Sequence, residues 1–323
     1  MLAIATFYTR ASDPRLRGVQ HGSRSVPPTS DELRLGLIAA LDLDSGEIQW
    51  SKTLDSPAGF TFVGRRLLVN SMFGNRVTVL SDELDVLDSF GHPIMNDLHT
   101  IRSTAAGLLI TSSGTDAIVE LTAEGDLSWL WLACAHGYRR TPLGAASWTR
   151  RARDYRFSMV NTPDQATHCN SAISVKYHGR DTVFATLFHQ GEIIAIDKAS
   201  GKHQVVFRGL NRPHSIRQAG DGWLVCDSRS GAVLILDSDF WISRVVEDDF
   251  NWVQDAVALD DEALLIADSN NSRLLIWNIA KGKIEREVRY PELWRVFQVE
   301  VDVPDWCHNL RTGSDGSSDL MKH

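Results

Sequence analysis

The stretch HSIRQAGDGWLVCDSRSGAVLILD, residues 214–237, decides the fold. A short strand, a Gly-Asp-Gly turn, an apolar strand, a polar loop and a third apolar strand follow one another with no helical periodicity. Four other segments repeat the pattern. They are FTFVGRRLLVNSMFGNRVTVLS (60–81), HTIRSTAAGLLITSSGTDAIVEL (99–121), NSAISVKYHGRDTVFATLFHQGEIIAID (170–197) and QDAVALDDEALLIADSNNSRLLIWN (254–278). A fourth strand follows the next turn signal, as in DKASGKHQVVF and NIAKGKIEREV. Four short antiparallel strands per repeat of roughly 40 residues is the signature of a β-propeller.

A sixth unit is read from LGLIAALDLDSGEIQWSKTL, which supplies the outer strands of a blade. Its inner strands come from LAIATFYT near the N-terminus or VFQVEVDV near the C-terminus. Sharing strands in this way closes the ring and removes a sheet edge. The expectation is an all-β chain: a single six-bladed propeller over residues 1–311, with a lid-like insertion at 132–166 and a disordered tail at 312–323. The segment 11–32, rich in Pro, Ser and Arg, reads as a long loop.

Composition narrows the function. The chain has 323 residues, 43% hydrophobic and 23% charged, with a net charge of −8. That balance argues against a general nucleic-acid binder. The four cysteines, Cys134, Cys169, Cys226 and Cys307, show no metal-knuckle spacing. No apolar run is long enough to span a bilayer, and the first residues lack the pattern of a secretory signal. The expected location is cytoplasmic, and the expected partner is a small-molecule substrate.

In a propeller the innermost strand of each blade lines the axial channel, and its first residue stands at the mouth. The repeat register puts Phe60, His99, Asn170, His214 and Gln254 there, with His168 two positions ahead of Asn170. The polar loop after the second strand reaches the same face and offers Ser112, Ser113, His189, Asp227, Arg229, Asp268 and Asn271. Of these, Asp227, Arg229 and Asp268 are candidate substrate contacts, and His214, His168, Asn170 and His189 are the catalytic candidates. His21, His92, His136, His178 and His203 lie outside this register and read as surface residues. The insertion carries six arginines against two aspartates in an acidic protein. Tyr138, Arg139 and Arg140 are its candidates for an anion clamp over the channel, since guanidinium groups suit planar anions.

Imidazoles gathered on an axis suit two chemistries. One is a divalent ion, Zn, Mn, Fe or Ca, held by His99, His168, His214 and Gln254, which would polarise a substrate oxygen in a lyase or isomerase reaction. The other uses one histidine as nucleophile or base, with its neighbours as hydrogen-bond donors. A propeller scaffold without catalysis is the non-enzymatic alternative.

One contiguous stretch carries a family resemblance. LSWLW, then the insertion, then THCNSAISVKY…TVFATLFHQGEIIAIDKASGK and PHSI…GWLVCDS resemble the bacterial arylsulfotransferase-type propellers over roughly residues 127–227. The resemblance implies that His168 and Asn170 match the family's His-x-Asn pair. It also implies that His214 matches its nucleophile and His99 an earlier active-site histidine. Two positions depart: Phe188 replaces the family's active-site arginine, and His-Ser-Ile replaces its His-Asp pair.

Overall fold

A computed structural model describes residues 1–9, 35–147, 149, 153–292 and 294–310. The readings at 11–32 and 312–323, and His21, fall outside them. Six four-stranded antiparallel sheets form a ring, a six-bladed propeller. Blade 2 runs outward through Pro57–Val63, Arg66–Ser71, Arg76–Leu80 and Val86–Phe90, and blade 3 through Leu98–Thr104, Gly107–Ser112, Ala117–Leu121 and Leu127–Leu132. Blade 4 comprises Cys169–Tyr177, Arg180–Leu187, Glu192–Asp197 and His203–Arg208. Blade 5 comprises His214–Ala219, Gly222–Asp227, Ala232–Leu236 and Ile242–Glu247. Blade 6 comprises Val253–Ala258, Ala263–Asp268, Arg273–Asn278 and Lys283–Arg289. Blade 1 uses both chain ends. The C-terminal strand Trp294–Glu300 is innermost, Leu2–Thr9 is second, and Leu35–Asp42 and Ile48–Asp55 complete the sheet.

Each sheet is covered on both faces by its neighbours, so its central strands read as almost unbroken apolar runs. Period-two geometry divides the residues between the two interfaces. Ala3, Ala5 and Phe7 pack toward blade 6 with Leu265 and Leu274. Ile4, between them, packs toward blade 2 with Phe60, Leu67 and Leu80. The remaining interfaces follow the same rule.

The innermost strands share a device that sets up the channel mouth. Every one carries a bulge near its start, visible as a register shift against the second strand. The bulge adds a residue and re-aims the side chains around it. A belt of hydrogen bonds then links neighbouring blades. The backbone N–H groups of Ala172, Ile216, Val299 and Phe60 donate to the side chains of Thr100, Ser171, Asp255 and Gln298, respectively, each on an adjacent blade. Blade 2 has Gly59 in this belt. A Cβ there would lie 2.4 Å from the His99 carbonyl oxygen, so the approach of blade 3 demands glycine.

Aligning the blades on this belt corrects the mouth register by two residues in blade 2. The mouth position there is Ala58. Phe60 instead sits in the core between blades 1 and 2, 1% exposed. The ring of equivalent positions is Ala58, His99, Asn170, His214, Gln254 and Phe297. Two residues ahead of the mouth, Ser56, Asp97, His168, Arg212 and Trp252 all have positive φ, between 44° and 65°. A left-handed non-glycine residue is unfavourable by about 1–3 kcal/mol. Its recurrence in five blades marks it as a requirement of the fold, the turn that drops the chain into the channel.

Candidate functional site

Three imidazoles meet at this mouth. The His99 ring lies 4.8 Å from that of His168, edge to face, and 6.5 Å from that of His214, close to parallel. All three are buried, at 3–5% exposure. Phe188 stands between His168 and His214, with ring centroids 4.8 and 5.5 Å away. Phe297 and Trp252 close the remaining sides against His99 and His214.

His99 and His214 are held in the same way. In each, Nδ1 faces the carbonyl oxygen two residues back, Asp97 at 3.0 Å and Arg212 at 3.1 Å. In each, Nδ1 also meets a serine fourteen residues on, Ser113 at 3.0 Å and Ser228 at 2.8 Å. A carbonyl oxygen only accepts, so Nδ1 carries the proton and Nε2 keeps the lone pair. Burial, reinforced by the neighbouring His99, pushes the His214 pKa down to about 3. His214 is therefore neutral throughout the physiological range.

His168 is held differently. Its Nδ1 donates to Oε1 of Gln165, whose Nε2 donates to Asp97 Oδ2 at 3.1 Å. The two carboxylate oxygens of Asp97 lie 3.9 Å from His99 Nδ1 and 3.8 Å from His168 Nδ1. Oδ1 of Asp97 is buried with no hydrogen-bond donor among the described residues. Asp97, His99 and His168 each offer one ligand atom within 4.8 Å of the others, a set able to hold a metal ion.

The insertion lies over this side of the mouth. Asp116 accepts from the backbone N–H groups of Ala166, Thr167 and His168 at 2.6, 2.7 and 2.9 Å. Asn96 Nδ2 donates to the carbonyls of Tyr155 and Ser158. His189 belongs to this cover: its Nε2 is 2.9 Å from the Thr162 carbonyl, and its ring is 6.1 Å from that of His168. Asn170 accepts from Thr186 Oγ1 at 2.8 Å, and its buried Nδ2 has no hydrogen-bond partner among the described residues.

The remaining candidates are placed elsewhere or engaged otherwise. Gln254 Oε1 accepts from Trp252 Nε1 at 2.9 Å, and His214 is not in the group of Asp97, His99 and His168 that could hold an ion. Asp227 and Asp268 accept from the backbone N–H groups of Asn211 and Asn251 at 2.6 and 2.7 Å, which fixes the loops leading into the next blades. Asp268 also pairs with buried Arg273 and with Asn271. The side chain of Arg229 is exposed. Ser112 bonds the Ile94 and Asn96 carbonyls. Tyr138 packs with Trp131 and His203, and His203 in turn with His136, between blades 3 and 4. Arg139 and Arg140 bond the Cys134 and Gly144 carbonyls within their own loop. These three form no contact with the axial imidazoles among the described residues. His136 and His203 are half-buried in that cluster rather than surface groups.

Sequence reasoning passed over Asp97, Gln165 and Ser228. Two of them carry a signal. Asp97 stands two residues before His99, as His168 stands before Asn170. The paired segments His99-Thr-Ile-Arg102 and His214-Ser-Ile-Arg217 are each followed by a serine at the same distance.

No family model matches the chain, and no curated protein matches it. Solved structures match in fold. A protein of unknown function from Bacteroides caccae aligns with a TM-score of 0.56 at 13% identity, over 91% of this chain and 97% of that one. A chain of a nidogen/laminin complex gives 0.58 at 11% identity, over 92% and 97%. Virginiamycin B lyase from Staphylococcus aureus gives 0.49 at 13% identity, over 73% and 70%. At these identities the shared property is the propeller. Among the described residues, no helix is long and apolar enough to cross a membrane.

Proposed function

We propose that this propeller is a small-molecule enzyme of lyase or isomerase type, with one divalent cation held by Asp97, His99 and His168. The observation that carries the reading is the buried, donor-free Oδ1 of Asp97 beside two imidazoles. A buried carboxylate oxygen without a partner is costly unless a cation or donor meets it. One carboxylate with two imidazoles suits a first-row transition ion better than calcium, which takes six to eight oxygens. Two ligands of one such ion stand at most about 4.2 Å apart, twice a typical metal–nitrogen distance, so the set draws in slightly on binding. When bound, the cation supplies Lewis acidity to a substrate oxygen.

The protein's own groups do the rest. The Asp97 carbonyl oxygen and Gln165 Oε1 fix the Nδ1 protons of His99 and His168, so in each ring Nε2 is the nitrogen that bears the lone pair. Neutral His214 cannot be a resting acid. It accepts a proton only from a group whose acidity is raised beside it. Phe188, Trp252 and Phe297 keep water from the rings.

The test is metal content by mass spectrometry on protein purified without a histidine tag and reloaded with zinc or manganese. Asp97→Asn, His99→Ala and His168→Ala should each weaken binding by about tenfold or more, while His214→Ala leaves it unchanged. Wild-type protein that takes up no cation at micromolar concentration ends this reading.

The arylsulfotransferase-like alternative, with His214 as nucleophile, has one observation in its favour. The Arg212 guanidinium lies 5.5 Å over the Phe188 ring, so an arginine stands at the spot where the expected one is missing. Under that reading 4-nitrophenyl sulfate would transfer its sulfuryl group to His214 Nε2 and release 4-nitrophenolate, chelators notwithstanding.

A further inference from the structure

A hollow of about 590 Å³ opens between blade 2 and the insertion, within the size range of small-molecule sites. Met72 and Phe73 line it from the propeller side, and Phe157 and Met159 from the insertion. Asp97 is its buried end. Phe157 and Met159 are 86% and 39% exposed, an unusual state for large apolar groups that face one hollow together.

The polar groups of the walls are already matched. Arg156 pairs with Asp154 at 2.7 Å, and Arg76 pairs with Asp55 at 3.4 Å. Asn75 and Asn96 bond carbonyls of the insertion. Among the described lining residues, both guanidinium groups, Arg76 and Arg156, are thus in ion pairs rather than unpaired. What remains is apolar surface at the rim, with the buried residue Asp97 in the lining.

We propose that this hollow is the substrate pocket of the axial site, and that it takes a compound with an aromatic or similarly sized apolar body and an oxygen-bearing head directed at Asp97. Its role as the substrate's pocket rests on the reading of Asp97, His99 and His168 as the reactive centre. The size and lining of the hollow do not.

Two measurements separate the two claims. The first uses metal-free protein labelled at the methionine methyl carbons, titrated with 2-naphthol and followed by NMR. Met72 and Met159 should shift saturably, Met1 and Met95 should not, and glucose should move none of them. Phe157→Ser, at an exposed position, should weaken the 2-naphthol response several-fold without unfolding the protein. Shifts absent at Met72 and Met159, or equal with glucose, overturn the pocket. The second uses zinc-loaded protein and calorimetry. 2-Naphthohydroxamic acid should bind about tenfold or more tightly than acetohydroxamic acid, a gap that the apolar body alone supplies. Equal affinities on zinc-loaded protein overturn the link between pocket and centre. Protein that shifts with 2-naphthol yet takes up no zinc retains the pocket and loses the metal reading.

Discussion

His214 shows how one buried side chain couples the site to stability. Its pKa lies near 3 in the folded protein, against about 6.5 in an unfolded chain. Between those values the unfolded state binds the proton and the folded state does not. Stability is therefore complete above pH 6.5 and falls as pH drops toward 3, by up to about 1.4 kcal/mol per unit. Replacing His214 with Asn removes the titration. Thermal unfolding from pH 7 to pH 4 should show a shallower loss in His214→Asn than in the wild type. Identical slopes would show that the ring is hydrated and titrates normally. The serines at 113 and 228 support this logic, since each gives Nδ1 a second oxygen and so fixes which nitrogen is presented to the channel.

At the scale of elements, Asp116 is the side chain that takes the most hydrogen bonds where the insertion rejoins the ring. Its carboxylate takes three backbone N–H groups and the Thr167 hydroxyl, and bonds to a charged acceptor contribute more than neutral ones. Asp116→Ala should lower stability by about 2–3 kcal/mol. It should also speed amide exchange at Ala166, Thr167 and His168 relative to the blade strands. Unaltered exchange there would mean that the cover is held by its other contacts. The elements themselves were largely legible in the sequence, because strands buried on both faces leave long apolar runs between turn residues. The bulge was not legible. It shifts register by backbone geometry that no residue type announces, and in blade 2 the mouth residue is the featureless Ala58, which is why Phe60 stood in for it. Gln165 was equally hidden, since its place beside His168 depends on how the insertion folds back. The histidines could be read because their repeat position survives the bulge in blades 3 and 5.

At the scale of the whole molecule, Asp255 sits where three blades meet. It receives bonds from Arg217 and Ser215 of blade 5 and from the Val299 backbone N–H of blade 1. Burial alone would raise its pKa, and the Arg217 guanidinium outweighs this and holds it low. The ring is closed more strongly by the interleaving of both chain ends in blade 1, where Leu2–Thr9 pairs with Trp294–Glu300 on one side and Leu35–Asp42 on the other. A circular permutant that begins at Ser56 and ends at Asp55, with a linker joining the original ends, makes every blade contiguous. It should keep the six sheets but unfold faster in denaturant jumps, because no interleaved, hydrogen-bonded latch spans its seam between blades 1 and 2. An unfolding rate equal to wild type would show that the interface between blades 1 and 2, rather than the latch, governs opening. The same latch sets a timetable for biosynthesis. Leu2–Thr9 must wait for its partner Trp294–Glu300 to be synthesised, and at about 5–20 residues per second that interval is roughly 15–60 seconds. Throughout it, the apolar segment LAIATFYT carries a bare edge open to any strand that passes, so the nascent chain is exposed to aggregation at this strand until blade 1 closes.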